Sequence, residues 1–198
     1  FAFTIDADPH YGDDRFNGEL YSTTLRNAAA AKPDFHIDLG DTFMTEKGRP
    51  ASEAEATPSF TGMRPYLGVI GADAPLFLVN GNHEAELGWL FQTPSQQDLP
   101  RWATELRQRY YPSPVPTVTG FYNGATTNDP VLGVPRDTWY TWTWGDARFI
   151  VLDPFWYTTR KPNHDVGGGW DWTLGADQYR WLQSTLEANS KRFTFVFI

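Results

Sequence analysis

Pro75-Leu-Phe-Leu-Val79-Asn80-Gly81-Asn82-His83-Glu84 is the stretch whose reading decides the fold. Its first five residues form a continuous apolar run, the pattern of a strand buried on both faces, and such strands belong to sheets covered by helices. The run stops on polar residues. Asn82 offers a neutral amide oxygen to a cation, and His83 can donate a proton or a hydrogen bond at neutral pH. Glu84 is placed to hold the His83 imidazole from behind, as carboxylates do around metal sites. An Asn-Gly turn opening a helix would account for Asn80 and Gly81 but leaves the His-Glu pair unexplained.

Two further islands precede this one, each directly after a strand-like run. Phe1-Ala-Phe-Thr-Ile-Asp-Ala7 alternates and leads into Asp8-Pro9-His10. If the extended path continues, Asp8 and His10 share a side and can grip one cation. Pro9 cannot donate to a central ladder, so it fits where strand gives way to loop. A turn-capping Asp beside a surface His would also give this tripeptide. Asp34-Phe-His-Ile-Asp-Leu39 leads into Gly40-Asp41, where a residue without Cβ lets the backbone turn and leaves a carboxylate at the sheet edge. From there Asp41 can bridge two cations. His36 and Asp38 lie inside the strand, behind the strand-end crevice where ligands bind in open α/β sheets, and are expected to be structural.

In this order and context the three islands resemble the calcineurin-like metallophosphoesterase superfamily, whose pattern runs Asp-x-His, Gly-Asp, Gly-Asn-His-(Asp or Glu), then downstream histidines. The resemblance spans residues 1 to 198. It implies an α/β fold, an αββα sandwich of two mixed β-sheets flanked by helices, and hydrolysis of phosphate mono- or diesters at a dinuclear metal centre. By motif, Asp8 and His10 would bind the first metal, Asp41 would bridge both, Asn82 would bind the second, and His83 would assist at the substrate phosphate. Mixed oxygen and nitrogen ligands admit Fe, Mn or Zn as the two divalent or trivalent ions. Tyr140 to Asp153 also resembles the hairpin that purple acid phosphatases and their bacterial relatives carry. The chain departs from two subfamilies, because Thr42-Phe43-Met44 supplies neither the tyrosine ligand of purple acid phosphatases nor the Asp-Arg-Gly of protein serine/threonine phosphatases. The remaining histidines are expected beyond the strand that begins near Arg192. The ligand set within these residues is therefore expected to be partial, and the chain to be a segment of a longer protein cut within strands at both ends.

Composition bounds the alternatives. With 198 residues, 40% of them apolar, and no break or linker, one domain covering residues 1 to 198 is expected. A net charge of −8 without a Lys/Arg stripe argues against a groove tracking a nucleic acid backbone. A small phosphate ester stays compatible, since bound cations reverse the sign of charge locally. No apolar run approaches the roughly 20 residues that span a bilayer. The absence of Cys excludes disulfides, thiol nucleophiles and thiolate-held zinc. The resemblance leans towards an extracytoplasmic location. A catalytically silent binding module on the same fold would carry the same islands, whereas a lectin-like module using the nine Trp residues as sugar platforms would leave them unexplained.

Periodicity predicts helices over Glu19 to Ala31 (Leu20, Thr24, Ala28 and Ala31 on one stripe), Ser59 to Ile70, Ala85 to Phe91, Gln96 to Tyr110, and Ala176 to Asn189 (Tyr179, Leu182 and Leu186 on one stripe). Thr45 to Thr57 reads as a mobile loop, and Pro112 to Pro135 as irregular. Thr138 to Trp144 and Ala147 to Asp153 flank Gly145-Asp146, a hairpin signal, with Tyr140, Trp142 and Trp144 on one core face. Pro154 to Thr173 reads as a loop able to cover a substrate. It holds His164 and Gly167-Gly168-Gly169, which lack the Gly-Lys-Ser/Thr ending of a Walker cradle.

Overall fold

A computed structural model describes residues 1–113, 122–162 and 172–198. His164 and the glycine run lie outside those residues. Strands β1 (Phe3–Asp6), β2 (Phe35–Asp38) and β3 (Leu76–Leu78) form a parallel sheet in that order. Strands β4 (Tyr122–Gly124), β5 (Tyr140–Trp144), β6 (Ala147–Val151) and β7 (Phe193–Phe197) form a second sheet, antiparallel through β6 and parallel between β6 and β7. The second sheet is thus mixed. β4 arises within the stretch expected to be irregular, its three residues being too few to show a period.

Alternation sorts the two faces of the first sheet. Phe35, Ile37, Phe77 and Val79 meet Tyr140, Trp142, Phe149 and Val151 of the second sheet in a buried layer. The Phe77 and Trp142 rings stack with centroids 3.9 Å apart, so the expected aromatic row is core. On the other face lie α1 (Gly18–Ala30), α2 (Glu53–Thr61), α3 (Arg64–Gly71) and α4 (Leu99–Tyr110), sharing a core that includes Leu25, Phe43, Phe60, Met63 and Leu106. Helix α5 (Gly175–Glu187) covers the outer face of the second sheet, where Arg148 Nη1 donates to the Thr185 carbonyl at 3.0 Å. The layers are α, β, β, α.

Local differences from the sequence reading have local causes. The buried stripe of α1 is Tyr21 and Leu25 with Ala28, while Leu20 is 65% exposed; Asn17 caps the helix by accepting from the Leu20 N–H and fixes that rotation. In α5 the buried positions are Gln178 and Thr185, and Tyr179 and Leu186 are exposed. Gln178 sets this register by exchanging two hydrogen bonds with the Asp153 backbone, at 2.7 and 2.8 Å. The supposed single helix over Ser59 to Ile70 is two, broken at Gly62 and Met63. The segment Thr45 to Thr57 is ordered rather than loose: a 3-10 turn at Thr45–Gly48 leads to α2, which Ser52 caps by accepting from the Glu55 N–H. After Glu84 the chain forms a 3-10 turn at Gly88–Gln92 in place of the expected helix.

Candidate metal centre

Three loops leave the C-terminal ends of β1, β2 and β3 and interlock. The Asp8 and His10 N–H groups each donate at 3.0 Å to the Gly40 and Asp41 carbonyls, and the Tyr11 N–H donates to the Thr42 carbonyl at 3.1 Å. The first loop is not extended as expected. Asp8, His10 and Asp41 all adopt left-handed backbone, with φ of 58°, 59° and 52°. Such angles are uncommon outside glycine, though Asp and His tolerate them best, and they persist only where surrounding bonds impose them. Here the loop-to-loop hydrogen bonds impose them.

The glycines of the second and third islands work as a pair. Gly40 has φ of 93°, and a Cβ on it would lie 2.1 Å from the Gly81 nitrogen. A Cβ on Gly81 would lie 2.4 Å from Asp41 Oδ1. Only two residues without side chains let the β2 and β3 loops touch at this point. The contact lets the His83 N–H donate to Asp41 Oδ1 at 2.9 Å.

The outcome is one cluster in which a donor atom from each of Asp8, His10 and Asp41 lies within 4.8 Å of the others. Asp8 is exposed, and His10 and Asp41 are half-buried, so the cluster opens to solvent from an ordered floor. One imidazole and two carboxylates form a hard, mixed donor set that suits a first-row divalent or trivalent cation. The His10 Nδ1 atom is buried and has no hydrogen-bond partner among the described residues; Asp13 Oδ2 stands 3.6 Å from it. The donors present fit one cation. Asn82 is exposed on the same loop beside His83, and its part in holding a second cation is carried by the motif alone.

Glu84 acts differently from the expectation. Its carboxylate does not reach the His83 ring; it accepts the backbone N–H groups of Asp41 at 3.0 Å, Thr42 at 2.6 Å, Phe43 at 3.3 Å and Gly81 at 2.5 Å. The sequence suggested its neighbour, but the N–H groups of a tight turn converge more strongly on a buried carboxylate than one ring nitrogen does. Burial first, then the Asp41 charge, push the Glu84 carboxyl above its usual range.

The group that holds His83 is Glu46, whose Oε1 meets His83 Nδ1. This hydrogen bond is the main cause of a His83 pKa raised above its ordinary value. Glu46 was hidden from sequence reading because it lies in the stretch taken for a loose loop. Its only signal was an acidic side chain five positions after Asp41. Behind the centre, His36 and Asp38 are buried as expected. His36 meets Asp6 Oδ1 at 2.9 Å and Thr4 Oγ1 at 2.8 Å. Asp38 Oδ1 accepts from the Gly40 N–H at 2.9 Å and the Thr42 hydroxyl at 2.7 Å, bracing the turn that presents Asp41.

No family model matches this chain, and no curated protein matches it in sequence. Solved structures do. The structure of PhoD aligns over 99% of this chain and 40% of its own, with a TM-score of 0.64 and 17% identity. A purple acid phosphatase from yellow lupin (Lupinus luteus) seeds aligns over 98% of this chain and 29% of its own, with a TM-score of 0.53 and 15% identity. A dimetal phosphatase from Danio rerio aligns over 100% of this chain and 68% of its own, with a TM-score of 0.52 and 13% identity. The chain therefore spans less than half the length of the first two. The likeness shows that its fold is shared with these three proteins.

Proposed function

We propose that this chain carries part of a dinuclear centre that hydrolyses phosphate esters, mono- or diesters, of small molecules. The observation that carries the reading is the convergence of Asp8, His10 and Asp41 donors within 4.8 Å at the strand ends, in the fold shared with phosphatases. In this reading Asp8 and His10 hold the first cation, Asp41 reaches both, and Asn82 holds the second. Fe, Mn or Zn would polarise the phosphoryl oxygens and activate the attacking water. His83, 5.9 Å ring to ring from His10, donates a proton or hydrogen bond at the ester. Glu46 keeps that imidazole oriented and protonated to higher pH, and Glu84 holds the Asp41 turn rigid. The fixed carboxylates leave the mouth negative until cations arrive, so metal enters before the anionic substrate or together with it.

No helix among the described residues is long and apolar enough to cross a membrane. The extracytoplasmic location implied by the resemblance remains part of this proposal. Elemental analysis of the full-length protein, alongside a panel of phosphate mono- and diesters, tests the whole reading. It expects bound metal together with hydrolysis that a chelator removes. Metal-loaded protein that cleaves no ester would instead support a silent binding module.

A further inference from the structure

A cavity of about 160 Å³ lies between the loop that follows β4 and the first turns of α5. None of Asp8, His10, Asp41, Asn82 or His83 lines it. Its wall is aromatic. The Trp139 and Trp181 rings lie 4.9 Å apart, and Trp181 is fixed because its Nε1 donates to Asn123 Oδ1 at 3.1 Å. Tyr157 continues the lining, and its hydroxyl faces Asp129 Oδ2 at 3.4 Å. The rim is polar, formed by Thr126, Thr127 and Asn128 with Asp177, all exposed.

The groups at the back are unusual in what they lack. Arg136 is 2% exposed and Trp139 6% exposed, yet Arg136 Nε and Nη1 and Trp139 Nε1 have no hydrogen-bond acceptor among the described residues. A buried donor left unpaired costs about 1–3 kcal/mol, and such groups in native proteins call for a partner. Arg136 itself is charge-compensated: its Nη2 donates to Asp153 Oδ2 at 2.6 Å and Glu86 Oε2 at 3.3 Å.

These features select among ligands. An anion would suit the spare N–H groups but meets the carboxylates of Asp129 and Asp177 in the same lining. A quaternary ammonium would suit the aromatic faces, as in aromatic cages, but supplies no acceptor and confronts the Arg136 cation. A neutral ring with hydroxyls offers acceptors to the buried donors, donors to the rim oxygens, and polarised C–H groups to the electron-rich indole face. The volume is below the ~300 Å³ at which drug-sized sites begin, so it admits a single small ring. We propose that this cavity is a saccharide subsite that takes one neutral hexose-sized residue, with Trp181 as its stacking platform.

The test is titration of the full-length protein, followed by saturation-transfer NMR and calorimetry. The probes are methyl glucoside, methyl galactoside and N-acetylglucosamine, with choline and inorganic phosphate as contrasting classes. At least one neutral sugar should bind, and a chelator should leave that binding intact. Trp181→Ala should weaken it roughly tenfold, the upper value of one aromatic contact, while Trp181→Phe retains most of it. Thr127→Trp, at an exposed position, should block the mouth without disturbing the core, and it keeps the test decisive if Trp181→Ala fails to fold. The proposal is overturned if no sugar binds at up to ~100 mM, four orders of magnitude weaker than a 10 μM site. It is equally overturned if sugar binding ignores both variants, or if choline or phosphate is the class they abolish.

Discussion

The backbone N–H of His83 donates to the side chain of Asp41 at 2.9 Å, across a separation of 42 residues. One hydrogen bond thus sets two things at once: where the imidazole enters the site and which oxygen of Asp41 is committed to the protein. A carboxylate oxygen of the same side chain lies within 4.8 Å of donor atoms of Asp8 and His10. Removing the charge of Asp41 is therefore a test of cation binding more than of loop shape, since an amide oxygen can still accept from His83.

Asp41→Asn in the full-length protein should lose at least one metal equivalent by elemental analysis. Asp38→Asn, three residues away and facing the helices, should keep full occupancy. Equal and complete metal content in the two variants would remove Asp41 from the ligand set.

His83→Asn should retain metal while turnover falls by roughly 10² to 10⁴, the span of a positioned acid or base. The loss should shrink for esters with good leaving groups. Glu46→Gln should act through the same imidazole. Glu46 raises the His83 pKa, so its removal lowers that pKa, and activity that needs the imidazolium should disappear at lower pH. An unchanged alkaline limb in the variant's pH profile would dissociate Glu46 from His83.

Asp38 gives a stability prediction. Burial first, then the facing Asp6, push its carboxyl up to about 7. The unfolded value is near 3.9, so between these limits the folded state binds more protons than the unfolded state. Stability should fall as pH rises from about 4 to about 7 and level off above. In metal-free protein the slope is at most ~1.4 kcal/mol per pH unit for one group. Asp38→Asn keeps the oxygen that accepts from Gly40 and Thr42, and it should make the fall in Tm across this window shallower. Parallel pH profiles for the two proteins would exclude Asp38 as the responsible group.

The paired glycines predict a sharp contrast. Gly40→Ala places a Cβ 2.1 Å from the Gly81 nitrogen at φ of 93°, and should cost upwards of ~2 kcal/mol, with loss of metal affinity. Gly68→Ala, within α3 with nothing within 4 Å of the new methyl group, should be neutral or stabilise by up to ~1 kcal/mol. Denaturant midpoints measure both.

The sandwich was legible because its strands announce themselves by long-range rules: a two-sided apolar run at β3, alternation at β5 and β6, and motifs that recur only after strands. Helix faces were less so. In α1 and α5 the apolar count favoured Leu20 and Tyr179, but a cap by Asn17 and a backbone clamp by Gln178 turned the helices by about one residue. Such polar anchors carry no periodic signal. Asp8, His10 and Asp41, which the structure brings within 4.8 Å of one another, stood out in the sequence because candidate metal ligands must be particular residue types. Glu46 and the changed role of Glu84 were not, because their work depends on which N–H groups a turn brings together, a property of three-dimensional closure rather than spacing.

Glu84 holds the turn at residues 41–43 from a point more than 40 positions further along the chain. During synthesis, then, the loops that carry Asp8, His10 and Asp41 emerge well before the clamp that completes the hold on the second of them. Until β3 has docked beside β2, only the contacts of the first two loops, such as the His10 N–H donating to the Asp41 carbonyl, act on the backbone at Asp41. A nascent chain therefore passes through an interval in which Asp8, His10 and Asp41 are exposed but unassembled, and on the proposed function capture of cation is a timestamp for closure of the parallel sheet rather than its cause.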